Sequence, residues 1–331
     1  MSDRSAQRVD EVRARGRLAV LIEFGRQVAA IRRQRWGNLW GYVFIAPAVI
    51  LFVTFQGYPL LRGFLMAFSD YRWLLPETQG LFSLNGLANF REMLRDPNFY
   101  RTFGIALKYT ALYLPALIVT SMFIAVMISK VVNPQLAGFY RVVAYMPVVL
   151  PTSVVMMMWR QIYHPQYGFL NHVLNTVFHI KNPPYWLGSP DWAMYAVVFP
   201  DIWKNFGYYT LLFLMGIYNI DPTLYEAGAI DGAGGWHQFR YITLPLLKPI
   251  ITLVLVLSGG IASATVSVMT MFDSSGGPAE SVLTVGLYAY RTAFVLGDMR
   301  MGYAAAISLV MGLVSATFSG LVFKVLRSER A

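Results

Sequence analysis

Two stretches of this sequence carry residue types at spacings that could do chemistry. The first is Asp201, Trp203, Lys204, Asn205, Tyr208 and Tyr209, crowded into the middle of an otherwise apolar block. Asp201 and Lys204 stand three apart, so on a helix they can neutralise each other. Trp203, Asn205, Tyr208 and Tyr209 offer flat apolar faces and hydrogen-bonding groups together, which is what a sugar needs. Plain packing, with Lys204 paired to Asp201 or to a neighbouring subunit, is the competing reading. Ser263 and Ser267, in a stripe with Gly259 and Thr270, either line the same path or form a packing seam. The matching stripe Ala304, Ser308, Gly312, Ser315 and Ser319 reads as a seam.

The second stretch is Asp221-Pro222-Thr223-Leu224-Tyr225-Glu226-Ala227-Gly228-Ala229-Ile230-Asp231-Gly232-Ala233. Asp221 is a good N-cap, and Pro222 sits where a helix tolerates proline. Gly232 can take the left-handed conformation that ends a helix. Leu224, Gly228 and Asp231 share one face, and Ala227 and Ala229 keep the sides thin. Glu226 and Asp231 supply anionic points for a basic partner. A second short helix is expected from about Trp236 to Ile242, stopped by Pro245 and Pro249. The result is a compact protrusion able to enter a cleft on another protein.

Other chemistries are excluded by what is missing. With no cysteine there is no disulfide, thiolate site or thiol nucleophile. His164, His172, His179 and His237 show no metal-ligand spacing, so no metal is expected. No G-x-x-x-x-G-K-[ST] phosphate loop and no convergent set of carboxylates or histidines is present, so the chain is not expected to be an enzyme.

The elements that must position these residues are set by lipid. Hydrophobic residues make up 56% of the 331 and charged ones only 13%, with a mean hydropathy of +0.49. A soluble domain carries about 25% charged residues. Six windows have the roughly 20 apolar residues that a crossing helix needs. They run Leu39–Tyr58, Phe103–Ser129, Val142–Gln161, Ala193–Tyr218, Ile250–Met271 and Tyr303–Val325. The fold class is therefore an all-α polytopic membrane protein of six transmembrane helices. Breakers at Pro115, Pro147, Pro151, Pro200 and Gly259-Gly260 point to a bundle with wet or moving parts.

The net charge of +10 is not a nucleic-acid signal, because it gathers ahead of the first window: nine arginines precede Trp36 against four acids. That pattern places the N-terminus in the cytoplasm. Six crossings return Lys324, Arg327 and Arg330 to the same side, and make 219–249 a cytoplasmic connection. Residues 1–38 read as a basic segment, amphipathic on the inner leaflet or partly disordered, 39–326 as the spanning domain, and 327–331 as a short tail. A cleavable leader is rejected because the apolar block runs on past Ala46-Pro47-Ala48.

The segment Glu226-Ala227-Gly228-Ala229-Ile230-Asp231-Gly232-Ala233, followed by Phe239, Ile242, Leu244-Pro245 and Pro249, resembles the "EAA" loop of permease subunits in binding-protein-dependent ABC importers. Tyr58-Pro59, Pro147 and Gly302-Tyr303-Ala304-Ala305-Ala306-Ile307-Ser308 are similar to maltose-type sugar permeases. This likeness, from about Trp40 onward, implies the type I importer permease fold with a cytoplasmic coupling-helix hairpin. It implies that Glu226, Ala227, Gly228, Asp231 and Gly232 couple transport to a separate ATPase, which would use the ATP and Mg²⁺ and leave this chain without a cofactor. The implied partners are a second homologous permease, two ATP-binding subunits and an extracytoplasmic solute-binding protein, in a bacterial inner membrane. The implied cargo is an oligosaccharide, polyol or glycerol phosphate. Gly228 departs from the pattern, which has alanine there. The rival is an ion-coupled secondary transporter using Asp201 and Lys204, and it leaves the hairpin unexplained.

Overall fold

The computed structural model describes residues 41–78, 83–259, 264–297 and 299–327. The expected basic segment 1–38, Ser263 and residues 328–331 of the expected tail lie outside them. The chain divides into two units, 1–63 and 64–331. Residues 41–63 of the first unit are helical and belong to α1, Gly41–Ala67, which passes through a π turn at Val53–Gly57.

The second unit is helical, and among the described residues it holds no strand, only an isolated bridge between Ser69 and Leu84. Its first half contains α2 (Ala88–Met93), α3 (Pro97–Ser129), α4 (Pro134–Val149), α5 (Thr152–Ile162), α6 (Phe169–Thr176) and α7 (Pro190–Tyr218). Its second half contains α8 (Pro222–Ile230), α9 (Gly235–Leu246), α10 (Lys248–Ser258), α11 (Thr265–Phe272), α12 (Val285–Phe294) and α13 (Met301–Arg327).

One local device starts three of these helices. Asp96, Asn133 and Asp221 are N-caps that accept from the backbone N–H of Asn98, of Gln135 and Leu136, and of Thr223. In each case proline follows at the first helical position, where its missing N–H costs nothing.

Helices α1, α3 and α13 are each long and apolar enough to cross a membrane. The pairs α4–α5 and α9–α10 pass that test only as bent units, at 95° and 63°. The 29 residues of α7 are long enough, but Asp201, Lys204, Asn205 and its tyrosines make it less apolar.

Two expected spans therefore differ from straight helices. The window Val142–Gln161 is broken at Leu150, whose ψ of 139° is extended. The ring of Pro151 crowds the helical conformation of the residue before it, and the chain turns there. The window Ile250–Met271 is divided, because α10 ends at Ser258, with Gly259 as its cap, and α11 begins at Thr265. A Cβ on Gly259 would fall 2.5 Å from the Leu255 oxygen and 2.8 Å from the Phe318 ring. The hairpin helix differs too. Pro245 does not stop α9, because a π turn at Phe239–Thr243 shifts the hydrogen bonding so that Leu244 N–H reaches the Phe239 oxygen.

The core of this unit centres on α3 and α7. Tyr109, Leu117 and Ala125 of α3 meet Val197, Phe213 and Leu214 of α7, with Val254 of α10 and Val268 of α11 against them. A smaller cluster joins the start of α3 to α12 and α13 through Phe99, Ala106, Val285, Tyr303 and Ile307. Helix association in lipid depends on close packing and hydrogen bonds, since lipid tails are as apolar as leucine. Small residues serve this closeness, and the Thr210 hydroxyl donates to the Ser121 carbonyl at 3.3 Å across the α3–α7 contact.

Candidate functional site

Helix α8, the first arm of the hairpin α8–α9, is held by local bonds at both ends. At its start, the Asp221 carboxylate accepts from Thr223 N–H at 3.0 Å, which holds the carboxyl below the usual carboxylate range. At its end, Gly232 takes φ = +79°. Gly232 N–H donates to the Ala229 oxygen at 3.1 Å and Ala233 N–H to the Gly228 oxygen at 2.8 Å. These two bonds are the Schellman arrangement, and glycine is the residue that enters it without strain.

The two arms are then fastened to each other. The hydroxyls of Tyr225 and Thr243 are 2.9 Å apart, and Gln238 Nε2 donates to the Tyr225 oxygen at 3.3 Å. Gly228 lies against α9, where an added Cβ would meet Ile242 Cδ1 at 3.2 Å. The face left free therefore consists of Thr223, Glu226, Ala227 and Ile230, at the i, i+3, i+4, i+7 spacing of one helical stripe. Glu226, Ala227, Asp231 and Gly232 are all exposed. Ile230, at 87% exposure, is the apolar tip, a residue that the sequence reading passed over.

In the middle of α7 the structure separates residues that the sequence grouped. Asp201 is 4% exposed. Its carboxylate accepts from the Tyr109 hydroxyl and from the Ser267 hydroxyl, each at 2.7 Å. No ion pair with Lys204 forms among the described residues, so the expected neutralisation is replaced by neutral donors on two other helices. Ser267 is buried and spends its hydroxyl on this bond. Asn205 Nδ2 turns back to the Asp201 carbonyl at 2.8 Å. Tyr209 is buried and Tyr208 exposed, their rings perpendicular at 5.2 Å.

Trp203 is half-buried and sits at the side of an apolar cleft of about 600 Å³ between α3, α4 and α7, with Ile124, Met127, Met146, Leu150 and Phe206. It also begins an aromatic series. Trp203 packs edge-on against Trp159 at 6.0 Å, Trp159 meets Tyr163 at 5.4 Å, and Tyr163 meets Trp186 at 5.6 Å. Trp159 and Tyr163 carried no sequence signal, because they stand in a window where aromatic residues are ordinary.

A polar clamp also escaped the sequence. Arg300 donates to both carboxylate oxygens of Glu92 at 2.6 Å each, and its guanidinium lies 4.9 Å from the centre of the Tyr303 ring. The Tyr288 and Tyr303 hydroxyls both donate to Asp96, at 2.6 and 2.8 Å. About 200 residues of chain separate the two sides of this clamp.

Residues 117–328 match the model of the family described as binding-protein-dependent transport system inner membrane component. The lactose transport system permease protein LacF of Rhizobium radiobacter is 28% identical, over 90% of this chain and 97% of that protein. The diacetylchitobiose uptake system permease protein NgcF of Streptomyces coelicolor is 32% identical, over 86% of this chain and 81% of that protein. In fold, the chain is similar to one in the crystal structure of a bacterial ABC transporter involved in the import of the acidic polysaccharide alginate, with a TM-score of 0.73, 22% identity, and coverage of 89% and 97% of the two chains. A family match over most of the length, on a helical frame of the same fold, leaves one assignment: this chain belongs to the inner membrane components of binding-protein-dependent transport systems.

Proposed function

We propose that this chain is the permease subunit through which an ATP-driven importer passes a sugar or sugar-like solute, and that the α8–α9 hairpin is its coupling element. The observation that carries the coupling role is the hairpin's construction. Its first helix, α8, is capped at both ends and bonded across to α9, yet none of the residues of α8 is buried. A short, stiffened helix with a bare stripe has the form of a plug for another protein's groove. Glu226 and Ile230 on that stripe offer one anionic and one apolar point.

The supporting relatives share a solute class by name. Those named for a cargo include permeases for lactose, diacetylchitobiose and sulfoquinovosyl glycerol. On this reading the partners are a second permease, two ATP-binding subunits that hold the ATP and Mg²⁺, and a binding protein on the outer face. Both chain ends then lie on the cytoplasmic side. Trp203, Asn205 and Tyr208 remain the proposed path residues on α7. Tyr209 and Ser267 act as packing groups beside the path. Asp201, held by two neutral hydroxyls, is poorly placed to be the ion-binding site that the secondary-transporter reading requires.

Uptake into vesicles tests the reading. A radiolabelled disaccharide panel that includes lactose and diacetylchitobiose should enter only with the ATPase subunits, ATP and the binding protein present. Uptake driven by a proton gradient without any ATPase would contradict it.

A further inference from the structure

Where α3 ends and α4 begins, two basic residues stand with no acid to meet them. Lys130 caps the C-terminal end of α3 and is exposed, and Arg141 is half-buried in the first half of α4. Neither forms an ion pair among the described residues. Arg141 donates from one terminal nitrogen to the Tyr218 hydroxyl at 2.9 Å and lies 5.4 Å from the centre of that ring. Its Nε is buried and finds no acceptor among the described residues.

These cations stand at one end of the apolar cleft between α3, α4 and α7. Lys130 lies in the chain between Ile128 and Val131, and Arg141 follows Tyr140, all three of which line the cleft. From Tyr140 the cleft runs along α4 to Leu150, about 15 Å at 1.5 Å per residue. Spread over that length, its volume of about 600 Å³ leaves a section of about 40 Å². A helix with its side chains is about 10–12 Å across and needs about twice that section. The slot is too slender for a neighbouring subunit's helix and wide enough for hydrocarbon chains. Ile124, Met127 and Met146 on its walls offer apolar contact, and walls left bare forfeit their dispersion attraction.

The charged end is also the root of the hairpin. A Cβ built on Gly235, at the start of α9, would fall 3.7 Å from Lys130 Nζ. Tyr218, which Arg141 holds, is the last residue of α7 before the short lead into α8.

We propose that this cleft binds an anionic phospholipid, with acyl chain in the slot and phosphate between Lys130 and Arg141, at the root of the hairpin. Basic groups beside a pocket between spanning helices are the arrangement that recognises such headgroups. The site follows from the cleft and its two cations; only its assignment to the cytoplasmic leaflet rests on the importer reading.

Native mass spectrometry tests the site on the full chain, delipidated in detergent and titrated with phosphatidylglycerol or with phosphatidylcholine of the same acyl chains. The parent should retain one phosphatidylglycerol more tightly than phosphatidylcholine, by about fivefold for each cation that meets the phosphate. Lys130→Gln, at an exposed position, should lose one such factor, and adding Arg141→Gln should bring the two lipids level. Val143→Trp, which fills the slot, should weaken both lipids together. Equal retention of the two lipids by the parent overturns the proposal, and so does a preference untouched by Lys130→Gln, which serves if the double variant does not fold. In the assembled importer in nanodiscs, phosphatidylglycerol with a diazirine on its acyl chain should label the α3 and α4 peptides that carry Met127 and Met146. Label confined to other helices overturns the site. So does a cross-link from Met127→Cys to the second permease in place of that label, since a neighbouring subunit then fills the cleft. None of these readouts uses ATP or transport, so a failure of ATP-driven uptake would count against the importer reading and leave the lipid site decided on its own.

Discussion

Gly207 lies so close to Ala144 that a Cβ at position 207 would fall 2.0 Å from the Ala144 carbonyl oxygen. This contact fixes how α7 meets α4, beside the cleft that Trp203 borders. The obstacle is backbone, which cannot rotate out of the way.

Gly207→Ala should therefore drive α4 and α7 apart. Overpacking of this kind costs about 1–3 kcal/mol, so the melting temperature of the purified chain should fall and uptake should fall with it. Gly138→Ala is the control, because nothing lies within 4 Å of a Cβ built there. Equal melting temperatures for the two variants would contradict the packing described.

Two glycines of the hairpin, Gly228 and Gly232, should respond in opposite directions. At Gly228, alanine gains about 1 kcal/mol of helix propensity, and its only tight neighbour is the flexible end of Ile242, 3.2 Å away. Gly228→Ala should be neutral or slightly stabilising and should leave uptake intact. At Gly232, φ = +79° strains any alanine by about 1 kcal/mol. Gly232→Ala should loosen the Schellman end and lower uptake. Limited proteolysis of the hairpin and an uptake assay check both; identical behaviour would refute the local structure.

The clamp at Glu92 and Asp96 predicts an acid limit. Hydrogen bonds from Arg300 hold Glu92 below the usual carboxylate range. Burial pushes Asp96 up, but donors from Tyr288, Tyr303 and the backbone outweigh it and leave it lowered as well. Groups with depressed values contribute stability that is complete above the ordinary carboxylate pKa and is lost as pH falls through the depressed ones. The melting temperature should hold from neutrality to about pH 4 and drop below it. Glu92→Gln should flatten that drop, while costing about 1 kcal/mol or less at pH 7 because the pair is partly exposed.

Much of this was legible in the sequence where the determinants are local. Asp221-Pro222 and Gly232 start and stop α8 by rules that act within a few residues, and the structure places both ends there. The 95° bend at Leu150 was half legible. Pro147 and Pro151 marked a breaker, but a hydropathy window averages over residues and carries no direction. The Asp201 bonds to Tyr109 and Ser267 were not legible, since they span 92 and 66 positions and nothing nearby announces them. Spacing favoured Lys204 as the partner, and tertiary packing supplied two hydroxyls instead. Arg300 and Glu92, 208 positions apart, were hidden for the same reason.

Cross-linking tests the central claim most directly, because the chain offers a cysteine-free background. Glu226→Cys carrying a short photoactivatable cross-linker, in an importer that still transports, should yield an adduct with the ATP-binding subunit. The same probe at exposed Tyr167 should yield none. If a transporting assembly gives no adduct from position 226, the hairpin is not the coupling element.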